Sequence, residues 1–260
     1  MLVQGVHRES AVVTTITLHG TGAGDPSSDR SSSGATVRFS DGSYLLIDAG
    51  EAIARSLLRD DVSPSKIRTI VVSHLHPDHW TGLPGLVTAW YCAHRTDPVS
   101  VFVPPGTVNF MRDVLSYSFW FPEMMPCAID IEEIRELELA DGMVLRSFPT
   151  THLDRVAERA LEHGVPVSAC GFVLDTPAGR VVFSQDLGSI SDLEKVVENA
   201  RLLIVECAHV EPSAVLDLAQ RRQVERVVFT HVPPEMPRFD ALPDAPDWSV
   251  AVDGMVVELE

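Results

Sequence analysis

The run His74-Leu-His-Pro-Asp-His79 places three imidazoles and a carboxylate within six residues. Imidazole nitrogen and carboxylate oxygen are the ligand types that suit Zn²⁺ and related first-row ions. A loop that binds nothing has no physical need for four such groups together. The preceding segment, Ile67-Arg-Thr-Ile-Val-Val-Ser73, is β-branched and apolar and reads as a buried strand. Pro77 blocks that strand from continuing, and Trp80-Thr-Gly-Leu-Pro-Gly-Leu86 reads as a turn entering a helix. The cluster therefore stands at the C-terminal end of a strand, where α/β proteins place their sites.

Further candidate ligands recur in the same setting. His152 follows the apolar stretch Val144-Leu-Arg-Ser-Phe-Pro-Thr-Thr151, Asp186 follows Arg180-Val-Val-Phe-Ser-Gln185, and His231 follows Val227-Val-Phe-Thr230. Side chains at successive strand ends converge on one rim of a sheet. His163 lies in a charged, helical-looking segment (154–164) with no such strand before it and reads as a surface residue.

With these residues in place, the chain resembles the metallo-β-lactamase-fold hydrolase superfamily, whose ligand series is HxHxDH, then H, D and H. Leu45-Leu-Ile-Asp-Ala-Gly50 resembles that family's early strand ending in Asp-x-Gly, and Val250-Ala-Val-Asp-Gly-Met-Val-Val257 its last strand. The resemblance implies an αββα sandwich and two divalent ions, zinc first, with manganese or iron as the other candidates. It implies that His74, His76 and His152 hold one ion, that Asp78, His79 and His231 hold the other, and that Asp186 bridges them. Asp48 would steady the ligands from behind.

Within the superfamily the chain is similar to the ribonuclease Z-like branch and the neighbouring class II cyclic-nucleotide phosphodiesterases. Leu18-His-Gly-Thr-Gly-Ala-Gly-Asp-Pro26, followed by Arg30-Ser-Ser-Ser-Gly34, resembles their first hairpin. Glu206-Cys-Ala-His209, a short helix and Phe229-Thr-His231 resemble their closing segment. A histidine placed as His209 is, 22 positions before the last ligand, serves there as a proton donor. Two departures stand out. The usual Ser-Gly-Asp is here Ser184-Gln185-Asp186, and only 34 positions separate His152 from Asp186. That spacing leaves no room for the long arm with which ribonuclease Z grips tRNA.

The chain has 260 residues, 45% of them apolar, with a net charge of −17. Candidate ligands spread from 74 to 231 must be brought together by one folding unit, so a single domain over 1–260 is expected. No apolar run reaches the ~18 residues of a membrane span, and the first ten residues do not read as a secretory signal. Cys92, Cys127, Cys170 and Cys207 show no CxxC spacing and read as reduced thiols of a cytoplasmic protein. Cys207 near the site is a secondary ligand candidate. Only 20 Lys and Arg are present, without a basic run, so long nucleic acids, which are bound by neutralising phosphates, are set aside as partners.

Strand-like segments fall near 12–18, 35–39, 43–48, 67–73, 99–103, 129–134, 143–149, 168–174, 180–185, 202–206, 226–230 and 249–258. Helical patterns fall near 51–59, 82–93, 107–116, 154–163, 189–199 and 212–222. The proline-rich stretch 232–247 reads as a surface connection, with an active-site flap as the alternative. The aromatic and methionine-rich segment 116–126 is open to three readings: pocket lining, homodimer contact or core. Gly20-Thr-Gly-Ala-Gly24 lacks both the GxGxxG spacing and a following helix, which argues against a dinucleotide loop. Ser31, Ser32 and Ser33 read as loop polarity.

The chemistry implied is hydrolysis of small phosphodiesters, including cyclic ones. A metal-bridging hydroxide would attack, with Asp78 and His209 as catalytic groups and His209 protonating the leaving oxygen. The same ligands would also serve a lactone, thioester, β-lactam or sulfate ester, or an iron-bound redox or cofactor-pathway protein of this fold.

Overall fold

The computed structural model describes residues 13–235, 239, 242 and 245–260. The N-terminal segment read as lacking a signal and parts of the proline-rich stretch lie outside these residues.

The first sheet holds β1 (Thr14–Gly20), β2 (Gly34–Arg38), β3 (Tyr44–Ile47), β4 (Ile67–Val71), β5 (Val99–Val103) and β6 (Ile129–Glu133). The second holds β7 (Leu137–Glu138), β8 (Val144–Pro149), β9 (Cys170–Thr176), β10 (Gly179–Phe183), β11 (Leu202–Glu206), β12 (Arg226–Thr230) and β13 (Asp247–Val250). The last strand, β14 (Met255–Leu259), returns to the first sheet and pairs antiparallel with β1. The strand orders are β14-β1-β2-β3-β4-β5-β6 and β13-β12-β11-β10-β9-β8-β7.

The helices are α1 (Ile53–Arg59), α2 (Pro77–Trp80), α3 (Leu83–Cys92), α4 (Val108–Tyr117), α5 (Ala157–Glu162) and α6 (Pro212–Arg221). Leu83, Leu86, Val87 and Trp90 recur at helical spacing along one buried stripe of α3. This stripe joins Leu46, Ile70 and Val101 in a core on the outer face of the first sheet. Val215, Leu218 and Ala219 of α6 do the same against Leu203, Val205 and Phe229 of the second. Between the sheets, Ile16, Val37, Leu45 and Ile47 meet Leu145, Phe172, Phe183 and Ile204. The architecture is therefore the expected αββα sandwich, with one core between the sheets and one under each helical layer. Within it, β11 (Leu202-Leu-Ile-Val-Glu206) is buried along its whole length, which its uninterrupted apolar run foreshadows.

Two of the expected elements take another form. The region 189–199 forms no α-helix but a 3-10 turn at Ile190–Leu193. Asp192 caps that turn, and its carboxylate also accepts from the backbone N–H groups of Thr151 and Gly188, which holds the segment against the ligand loop. The stretch 249–258 is not one strand but the end of β13 and the start of β14, on opposite sheets. Gly254, at φ 84°, supplies the turn between them.

The segment 116–126 divides in two. Trp120 and Met125 pack on the outer core of the first sheet, while Tyr117, Phe119 and Met124 are exposed. In the proline-rich stretch, Phe239 stacks on Trp248 with ring centroids 5.7 Å apart. No described helix is long and apolar enough to cross a membrane.

Phe172, fully buried between the two sheets, sets a stability test. Phe172→Ala is expected to destabilise the protein by about 3–5 kcal/mol, read as a lower midpoint in urea denaturation.

Candidate metal centre

The ligand candidates stand on loops that leave the C-terminal ends of β4, β8, β10 and β12. Leaving β4, the chain passes through buried His74, then Pro77 occupies the first turn of α2, which turns Asp78 and His79 back toward the sheets. A tight backbone junction makes this possible. Ala49 N–H donates to His79 O at 2.7 Å and Gly82 N–H to Ala49 O at 2.9 Å. A Cβ on Gly50 would lie 2.3 Å from Asp78 O, and one on Gly82 2.1 Å from Gly50 O, so neither position admits a side chain as the backbone stands.

The groups converge. Potential ligand atoms of His74, His76, His152 and Asp186 lie within 4.8 Å of one another, as do those of Asp78, His79 and His231. Asp186 links the two sets. One of its oxygens is 3.7 Å from His74 Nε2, 3.5 Å from His152 Nε2 and 3.4 Å from His231 Nε2, and the other is 3.3 Å from His79 Nε2. His79 Nε2 is also 3.2 Å from Asp78 Oδ2.

Four of these atoms, His74 Nε2, Asp78 Oδ2, His79 Nε2 and Asp186 Oδ1, are buried without a hydrogen-bond partner. A buried polar atom left unsatisfied costs about 1–3 kcal/mol, and four pointing into one space fit a positive ion at that space. Burial lowers the basicity of His74, and that of His152 to about 4, so both stay neutral and free to coordinate at physiological pH. Burial would push Asp186 up, but the imidazoles of His231 and His79 hold it well below the usual carboxylate range.

The family described as Beta-lactamase superfamily domain matches residues 43–232. The chain belongs to this superfamily.

Among relatives, the Ribonuclease Z of Methanococcus maripaludis (strain C6) is 33% identical over 142 residues, 53% of this chain and 45% of that protein. The chain thus spans less than half the length of this relative. The Ribonuclease Z of Natronomonas pharaonis is 26% identical across 84% of this chain and 86% of its own length. Human tRNase Z, short form, has the same fold, with a TM-score of 0.75 and 21% identity over 95% of this chain and 99% of its own. A diphosphatase from the PhnP family gives 0.71 and 19%, over 95% and 97%.

In this superfamily member the ligand candidates are held from behind by residues of both sheets. Asp48, fully buried at the end of β3, accepts from Ser73 N–H at 2.7 Å, from Ser73 Oγ at 2.8 Å and from His79 Nδ1 at 2.6 Å. That bond leaves His79 Nε2 to face the cluster and, with Asp186, raises His79 well above its ordinary value against the effect of burial. Asp48 also accepts from the Gln185 side-chain amide.

Gln185 stands at φ 47°, a left-handed conformation that suits glycine. Gln185, where the sequence resemblance implies glycine, accepts strained backbone and ties the two sheets together across the site. Ser33, read as loop polarity, instead lies 3.1 Å from His231 Nδ1. The spacing of Ser33, Ser73 and Gln185 in the sequence carries no sign of these roles.

His209 lies at the rim, its ring 4.8 Å from His152 and 5.9 Å from His231. Its Nδ1 is 3.3 Å from Glu206 Oε2, and this partner raises its pKa against the opposing effect of burial. It also groups with Asp186 and His231 within ligand distance. His163 is exposed at the end of α5, away from these groups. Cys207 joins none of the clusters; it donates to Thr230 O at 3.4 Å, and burial pushes its thiol up to about 12.

Asp48→Ala removes the acceptor that orients His79. Zinc affinity, measured by competition with a chromogenic chelator, is expected to fall about 10–100-fold.

Proposed function

We propose that this chain is a metal-dependent hydrolase of phosphodiesters working as one domain. His74, His76 and His152 would hold one divalent ion, Asp78, His79 and His231 a second, and Asp186 both. The observation that carries this reading is the set of four buried ligand atoms that make no hydrogen bond and crowd together, two carboxylate oxygens lying 3.2 and 3.3 Å from His79 Nε2. A donor set of imidazole and carboxylate suits zinc, and manganese or iron next. Bound ions would supply an acidified water as nucleophile and a positive field for phosphoryl oxygens.

The chain's own residues supply the rest. Asp78 is at once ligand candidate and a wall of the substrate approach. Glu206 is buried, and its carboxylate accepts from the backbone N–H groups of Ala208 and His209 at 2.7 and 2.8 Å. Fixed in this way, it holds a proton on His209, which would pass it to the departing oxygen.

Relatives bearing the names Ribonuclease Z and tRNase Z favour a phosphodiester over a lactone, thioester, β-lactam or sulfate ester. They also argue against setting nucleic acid aside. The charge of −17 and the 34-position spacing between His152 and Asp186 favour a short substrate over a folded RNA. A small nucleotide-type phosphodiester, linear or cyclic, meets both.

Metal-reconstituted protein is expected to contain two Zn or Mn per chain, and Asp186→Ala to lose occupancy at both sites. Elemental analysis giving one or none after saturation overturns the dinuclear reading. In a panel of bis(p-nitrophenyl) phosphate, cyclic nucleotides, dinucleotides and precursor tRNA, turnover of the small phosphodiesters is expected. Tight, salt-sensitive binding and 3′ cleavage of precursor tRNA would replace the small substrate with RNA.

His209→Ala is expected to lower kcat by about 10²–10⁴-fold for an alkoxide leaving group, and far less for p-nitrophenolate, with metal content retained. Loss of a metal in that variant would make His209 a ligand instead.

A further inference from the structure

Asp78 borders a second space. A cleft of about 520 Å³ opens beside it, walled by the loop 24–32, by α1 and by Pro77, Thr81 and Asp253. The loop stands close to this carboxylate: a Cβ on Gly24 would lie 3.5 Å from it, in ordinary contact. A molecule filling this cleft would therefore touch the edge of the metal centre.

The polar groups of the cleft fall into two sets. One set is committed to structure. Asp253 accepts from Thr21 N–H, Thr21 Oγ1, Ser31 N–H and Arg59. Arg59 further donates to Asp60 and His19 O, and Arg30 to Thr21 Oγ1 and Ala251 O.

The other set is open. Among the described residues, the side chains of Arg55 and Glu51 have no hydrogen bond or ion pair, and both are exposed in the cleft. Ten other arginines of this acidic chain pair with carboxylates. Arg38 and Arg155 are likewise without a hydrogen bond or ion pair among the described residues, but of the three only Arg55 lines this cleft.

A guanidinium fork matches the oxygens of a phosphate. Ser32, Asp29 and Glu51 line the same wall and offer hydroxyl and carboxylate partners for sugar hydroxyls. Three arginines and four carboxylates line the cleft, so it suits a phosphorylated sugar better than a bare polyanion. We propose that this cleft binds the ribose-phosphate unit next to the scissile phosphodiester, with Arg55 on its phosphate. The substrate then carries at least two phosphates. This rests on the phosphodiesterase reading for its catalytic meaning, but the binding can be tested apart from it.

The test uses wild type, Arg55→Gln, Arg55→Lys and, as a charge-matched control away from the cleft, Arg38→Gln. Uridine 3′,5′-bisphosphate is titrated calorimetrically into each protein, as isolated and after metal removal by a chelator. Metal-free wild type is expected to bind it more tightly than inorganic phosphate. Arg55→Gln should weaken that binding about tenfold or more, Arg55→Lys less, and Arg38→Gln not at all.

In kinetics with metals present, Arg55→Gln should raise KM about tenfold for the 5′-phosphorylated dinucleotide pUpU and leave it unchanged for bis(p-nitrophenyl) phosphate. The proposal is overturned if the bisphosphate binds metal-free wild type no better than phosphate, or if Arg55→Gln and Arg38→Gln behave alike. Should no phosphodiester be turned over at all, the phosphodiesterase reading fails, and the metal-free titration still decides the cleft.

Discussion

Asp186 carries a carboxylate that is almost fully enclosed and faces four imidazoles, those of His74, His79, His152 and His231. An isolated buried charge is strongly disfavoured unless it is paired or bound to a metal. Much of the surrounding architecture answers that constraint. Strands from both sheets end at the same rim so that donors arrive from several directions. Asp48 and Ser73 lock the His79 ring, Ser33 sits against His231, and Glu206 steadies the segment carrying His209. The rigidity of the strand ends, rather than the loops themselves, sets the positions of the ligand atoms.

The sequence made much of this legible because the ligand candidates follow apolar runs. A histidine or aspartate directly after a β-branched stretch carries its location with it, as His74, His152, Asp186 and His231 do. Asp48 was legible for the same reason, at the end of Leu45-Leu-Ile47. What stayed hidden depends on packing between distant segments. Ser33 and Ser73 are ordinary serines until the sheets face each other. Gln185 is an ordinary glutamine until its backbone is seen at positive φ with its amide on Asp48. The 189–199 segment has a helical composition, but tertiary bonds from Asp192 to Thr151 and Gly188 override that propensity. The 249–258 run is apolar on either side of Asp253-Gly254, and nothing in that pattern tells that its two halves join different sheets.

Charge is distributed unevenly in a way that net charge conceals. Most arginines of this acidic chain are neutralised locally by surface carboxylates, pairs that contribute little to stability in water. Their effect is to remove long-range positive potential from the surface. Attraction of any anionic ligand is then left to whatever stands within a few ångströms of the cluster. Such a protein gains little from electrostatic steering over distance and would select ligands by close fit.

The pairing of β1 with β14 has a consequence for how the chain reaches this state. The two strands are separated by more than two hundred residues of sequence, a contact with a large loop-closure cost. Until β14 arrives, β1 presents an open row of backbone donors and acceptors, available to any other strand. The sheet bearing the histidine run is therefore sealed on this edge by a segment that carries none of the site's chemistry. Any state in which β14 has not docked leaves that edge open, and is more exposed to aggregation than the finished sandwich.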